Sequence, residues 1–124
     1  MNTGQVPRER WVKFFDDFSK QHQGWIATVE LIGPDIGDQE EAAGLPLVGI
    51  SADLKDGENR IEVTLGGRPD AHLTHTINNP RTVELKPAEE EGHEAVEVRS
   101  ADGTITLVSF RHIMPEQVER QLPG

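Results

Sequence analysis

Cysteine is absent from the 124 residues, which excludes disulfides, zinc–thiolate centres, iron–sulfur clusters and thiol nucleophiles together. Basic side chains are scarce. Twelve Lys plus Arg stand against 22 Asp plus Glu, and the formal net charge of −10 repels nucleic-acid backbones and anionic lipid on average. No apolar run approaches bilayer length, and the opening Met-Asn-Thr-Gly-Gln-Val-Pro lacks the basic and apolar regions of a secretory signal. The expected location is therefore the cytoplasm, with neither nucleic acid nor membrane as a partner. Patterns of the G-x-S-x-G, H-E-x-x-H and P-loop kinds are missing as well, and Ser19, Ser51, Ser100 and Ser109 have no spacing that marks a nucleophile. Gly66-Gly67 is followed by Arg68-Pro69 and a strand pattern, not by the helix that a phosphate cradle needs, so it reads as a turn.

Aromatics make up only 5% of the chain, and five of the six, Trp11, Phe14, Phe15, Phe18 and Trp25, fall within fifteen positions; only Phe110 lies elsewhere. Positions 11, 14, 15 and 18 repeat the i, i+3, i+4, i+7 spacing of one helical face, predicting an amphipathic helix over Pro7–His22. Pro7 suits its first turn and Gly24 its left-handed stop. Because the rest of the chain offers mainly Val, Ile, Leu and Ala, this helix must supply the bulky filling of the core.

After Gly24 the period changes to two. Trp25 to Ile32 reads as a strand, Gly33 to Pro46 as a long acidic loop, and then Val48–Leu54, Ile61–Leu65, His72–Ile77, Val83–Leu85, Val96–Val98 and Thr104–Phe110 as short strands joined by turns. No crossover helix fits between any two of them, so the sheet is expected to be antiparallel. The predicted fold is α+β: an N-terminal amphipathic helix on a strongly curved meander of about six or seven short strands, barrel-like. A short C-terminal helix over Pro115–Leu122 would place Met114, Val118 and Leu122 at spacing four, and residues 1–124 read as one domain with an ordered core over about 7–113.

The segment Asp70-Ala71-His72-Leu73-Thr74-His75-Thr76 carries the densest set of candidate ligands. On a strand Asp70 and His72 share one face while His75 points to the other, so only the first two have the geometry of a carboxylate–imidazole pair. A complete site would need a third ligand such as His112, His93 or an acidic loop residue, brought in by the fold. The plain alternative is a solvated His72 and a packed, hydrogen-bonded His75. The acidic runs at 35–41 and 89–97 have no calcium-loop pattern, and Lys55 stands where an EF-hand would need a ligand, so they read as solvated. Gly49, Asp56 and Asn59 superficially resemble the first motif of the Sm-like RNA-binding barrels, but the spacing is off, no Arg-Gly element follows, and no exposed aromatic pair offers a stacking platform.

Taken together, Trp11, Phe14-Phe15-Asp16, Phe18-Ser19, Gly24-Trp25, Leu45-Pro46-Leu47, Gly49-Ile50, Ala52-Asp53-Leu54-Lys55-Asp56-Gly57, Thr74-His75-Thr76 and Ala101-Asp102-Gly103-Thr104 resemble an uncharacterised bacterial family of small acidic single-domain proteins. The resemblance covers most of residues 7–113 and implies a self-contained cytoplasmic domain, with no activity or residue role to carry over. Two expectations follow. The first is a non-catalytic accessory domain, with no cofactor or metal, that meets a protein partner or its own copy through the helix face or a sheet edge. The second is a small-ligand or metal-dependent protein or enzyme built on Asp70, His72, His75 and His112.

Overall fold

In the computed structural model the described residues are 4–35, 37–66, 72–87 and 93–112. The aromatic segment forms a 3-10 turn at Arg8–Arg10 and an α-helix, α1, at Trp11–Gln21. Pro7 stands just before the turn, and Gly24 takes φ 86° just after the helix. Around them lie eight strands among the described residues: β1 Gln5–Val6, β2 Ile26–Gly33, β3 Gly37–Asp53, β4 Arg60–Leu65, β5 Leu73–Asn78, β6 Pro80–Pro87, β7 His93–Ser100 and β8 Ile105–Arg111. Every pairing is antiparallel, in the order β1-β6-β7-β8-β2-β3-β4-β5.

The strand count differs from expectation. The sheet has eight strands, not six or seven, and it is not closed: β5 and β1 are its edges. It nevertheless curls, because β5 and β6 lie near opposite ends of the order yet are joined through the single residue Asn79, at φ 53°. Nor is it one meander, since β8 returns to pair with β2.

The expected loop over Gly33–Pro46 is mostly strand. β3 runs 17 residues, first against β2 and then against β4. Its acidic first half is exposed except for Ala42, so no apolar alternation marks it. The ladder also skips residues: Ala27 faces Leu45 while Val29 faces Ala42, and Leu47 faces Leu65 while Gly49 faces Thr64. Bulges of this kind bend a strand and break its period of two. They let one strand serve both halves of the sheet. The β3–β4 turn follows the sequence more closely, with Asp56 at φ 54° and Gly57 at φ 82°, the positive pair a tight hairpin turn requires.

One hydrophobic cluster fills the curl. From α1 come Trp11, Phe15 and Phe18; from the strands come Ala27, Val29, Leu47, Ile61, Val63, Leu65, Val83, Val96, Val98, Val108 and Phe110. Phe18 meets Phe110 edge-on at 5.1 Å between ring centroids, which places the helix at the Ala27 and Phe110 end of β2 and β8. The expected C-terminal helix over Pro115–Leu122 lies outside the described residues.

β1 is held by a close approach: Leu85 N–H donates to the Gly4 carbonyl at 2.9 Å, and a Cβ on Gly4, at φ 99°, would collide with the Leu85 carbonyl oxygen. Gly4→Ala is expected to release β1 from β6 while leaving the other strands paired. Amide exchange should then speed up at Val6 and Leu85 and stay unchanged at Val108; unchanged exchange at Leu85 would contradict that reading.

Candidate functional site

The predicted site residues are not gathered by the fold. Asp70 lies outside the described residues. His72 is exposed just before β5. His112 is exposed beyond β8, its ring tilted over Trp25 at 4.8 Å. Among the described residues no three His, Asp or Glu side chains converge on a point that could hold a metal ion.

His75 stands apart from the other two. It is half-buried on β5, in the same parity as Leu73 and buried Ile77, opposite Val63 of β4. Burial pushes its pKa below the ordinary imidazole value, and the Glu41 carboxylate partly opposes that shift. The ring is therefore neutral at pH 7, with one donor nitrogen and one acceptor nitrogen. The sign for stability follows. Between the lowered folded pKa and the unfolded value near 6.5, the unfolded chain binds more protons, so stability falls as pH drops through that window. A His75→Gln variant should lose less melting temperature than the wild type between pH 7.5 and 5; equal losses would show that His75 does not titrate this way.

Beside His75 lies a cavity of about 220 Å³, lined by Leu31, His75, Thr76, Ile77, Asn78, Ser100, Asp102, Thr104 and Thr106. Four consecutive β5 residues line it although alternate side chains point to opposite faces. What they share is the backbone edge. β5 pairs with β4 on one side and with no strand on the other among the described residues, so this cavity is the seam of the curled sheet. It sits at the Leu31 and Thr106 end of β2 and β8, away from the end that α1 fills. The far wall is polar: Thr106 is buried, and Asp102 caps its own turn by accepting from the Thr104 N–H at 2.9 Å. That hydrogen bond holds the Asp102 carboxyl below the usual carboxylate range. No Lys or Arg lines the seam, so it suits a neutral or cationic polar group.

A second histidine was not singled out by sequence. His22 is 5% exposed, with its ring stacked on Phe18 at 3.8 Å and edge-on to Trp25 at 4.4 Å. Nδ1 donates to the Phe18 carbonyl at 2.9 Å, and Nε2 lies 2.9 Å from Glu94 Oε1. Both ring nitrogens thus have a partner within hydrogen-bond distance, one on the helix and one on β7. His22 fastens the C-terminal end of α1 to β7. The available signal was its spacing, since position 22 extends the stripe of 11, 15 and 18.

Among the described residues no helix is long and apolar enough to cross a membrane. No solved structure matches this chain. An uncharacterised protein of Aquifex aeolicus (strain VF5) is 31% identical over 116 residues, spanning 93% of this chain and 97% of the relative. Residues 2–119 match DUF5335, a family of unknown function, and with that relative they agree with the resemblance carried by the aromatic and turn motifs. The chain belongs to the DUF5335 family.

Proposed function

We propose that this chain is a non-catalytic, cytoplasmic accessory domain that binds an extended segment of a positively charged protein along the free edge of β5. On this reading the curled sheet is an unclosed small barrel, and the bound segment lies in its seam. Backbone hydrogen bonds to β5 would supply affinity, and one inserted side chain would supply selectivity, the usual division of labour in strand addition. The carrying observation is the lining of the seam by consecutive residues 75–78 of an edge strand.

Two further features favour this occupant. Edge strands are ordinarily guarded by charge or proline, and Leu73-Thr74-His75-Thr76-Ile77-Asn78 contains neither. The seam offers hydroxyls, Asp102 and nearby Glu41 without a cation, and the chain as a whole carries −10. A second copy would bring the same charge and be repelled; a basic segment would be attracted.

Titration with a peptide of alternating Val and Lys, and with its Val and Glu counterpart, tests the reading by amide exchange. The basic peptide is expected to protect amides of Leu73–Asn78, and Thr76→Lys is expected to weaken its binding about tenfold through like-charge contact. Equal protection by both peptides, or none at β5, contradicts it. Perturbation of His75 and Thr106 by a small polyol, with β5 amides unprotected by either peptide, would assign the seam to a small ligand instead.

A further inference from the structure

The surface carries a second cavity whose chemistry runs against the composition. It is an open depression of about 410 Å³ between the N-terminal turn and β6, and its walls include Val6, Pro7, Arg8, Trp11, Arg81 and Thr82. In a chain with 22 carboxylates, no acidic side chain lines it.

Among the described cations Arg8, Arg10, Lys55, Arg81 and Arg111 have no carboxylate within salt-bridge distance, and of these five Arg8 and Arg81 line this cavity. Lys13, Lys20, Arg60, Lys86 and Arg99 each lie within 4.0 Å of a carboxylate oxygen. Arg8 is held without a carboxylate: its guanidinium lies 5.0 Å from the Trp11 ring centre, and Nη1 donates to Asn59 Oδ1 at 3.0 Å. Arg8 is thus oriented while its charge stays uncompensated. The Arg81 side chain has neither an ion pair nor a hydrogen bond among the described residues. The β6–β7 ladder passes from Pro80 facing Ser100 to Thr82 facing Arg99 and skips it. A bulge re-aims the side chain it frees, and this one contributes Arg81 to the same cavity as Arg8, 73 positions earlier in sequence.

Two arginines lining one cavity that no carboxylate lines can present forked donors to a doubly charged oxyanion. The apolar floor of Val6, Pro7 and Trp11 leaves room for a compact organic body beside that group. At physiological salt the screening length is about 8 Å, so exposed carboxylates farther than that from the cavity are largely screened. From this geometry we infer that the cavity between Arg8 and Arg81 binds the phosphate group of a small phosphomonoester. The site is independent of the β5 seam.

The test is titration at constant ionic strength in phosphate-free buffer, with inorganic phosphate, phenyl phosphate and a phosphoserine peptide as probes. Trp11 indole and Thr82 amide resonances provide the readout. Phenyl phosphate is expected to bind more tightly than inorganic phosphate, with Arg81→Ala weakening both at least about tenfold and Lys55→Ala changing neither. Arg81 is exposed, so its removal leaves the core intact. Absence of saturable shifts for both small probes, or affinity undiminished in Arg81→Ala, overturns the site. Tighter binding of the phosphopeptide than of phenyl phosphate overturns the small-molecule assignment and points to a modified protein.

Discussion

Replacing Phe15 with alanine is expected to destabilise the protein by about 3–5 kcal/mol, a large share of the roughly 5–15 kcal/mol that holds a domain of this size folded. The ring is fully buried and meets Phe14 edge-on at 5.1 Å. The size of the effect follows from what surrounds it. Strand side chains facing the helix are chiefly Val, Ile, Leu and Ala, too short to close the void that a missing phenyl leaves. On the same helix Val12 is 55% exposed, and Val12→Ala should fall within about 0.5 kcal/mol of wild type. Urea titrations of the pair read the contrast directly. A Phe15→Ala loss below about 1 kcal/mol would mean that the helix does not fill the sheet.

Ser19→Ala is the next largest expected effect, about 1–3 kcal/mol from one hydroxyl. Ser19 Oγ donates to the Ile50 carbonyl at 3.0 Å and accepts from the Ile50 N–H at 2.8 Å. Ile50 stands opposite Val63, and its backbone groups turn from β4 toward α1. The hydroxyl does there what a neighbouring strand would otherwise do. Because Ile50 is buried, truncating Ser19 leaves a donor and an acceptor without partners and with little access to water. Ser19→Thr keeps the hydroxyl and should lose much less. Faster exchange of the Ile50 amide in Ser19→Ala is the local signature; an unchanged rate would contradict the tie.

What the sequence discloses divides along physical lines. Helix α1 was legible because Trp11, Phe14, Phe15 and Phe18 repeat at helical spacing, and β4 because Ile61, Val63 and Leu65 alternate cleanly. β3 was half hidden, since its exposed acidic half and bulges erase the alternation on which a strand is recognised. β1 is two residues long, held through a contact between Gly4 and Leu85 that no local pattern announces.

The sites were less legible still. His75 was singled out for the company of Asp70 and His72, yet what distinguishes it is the seam formed by β2, β5, β7 and β8. Arg8 and Arg81 share a cavity across most of the chain, and only a skipped residue in a ladder joins them. His22 was the exception: its spacing from Phe18 was visible, but its partner Glu94 is 72 positions away.

Native-state amide exchange across Leu73–Asn78 in the protein alone tests the free edge most directly. Amides that face β4 should be slow and those that face the seam fast, alternating residue by residue. Uniformly slow exchange along the strand would mean that another chain segment already covers this edge, and that no partner strand can be received there.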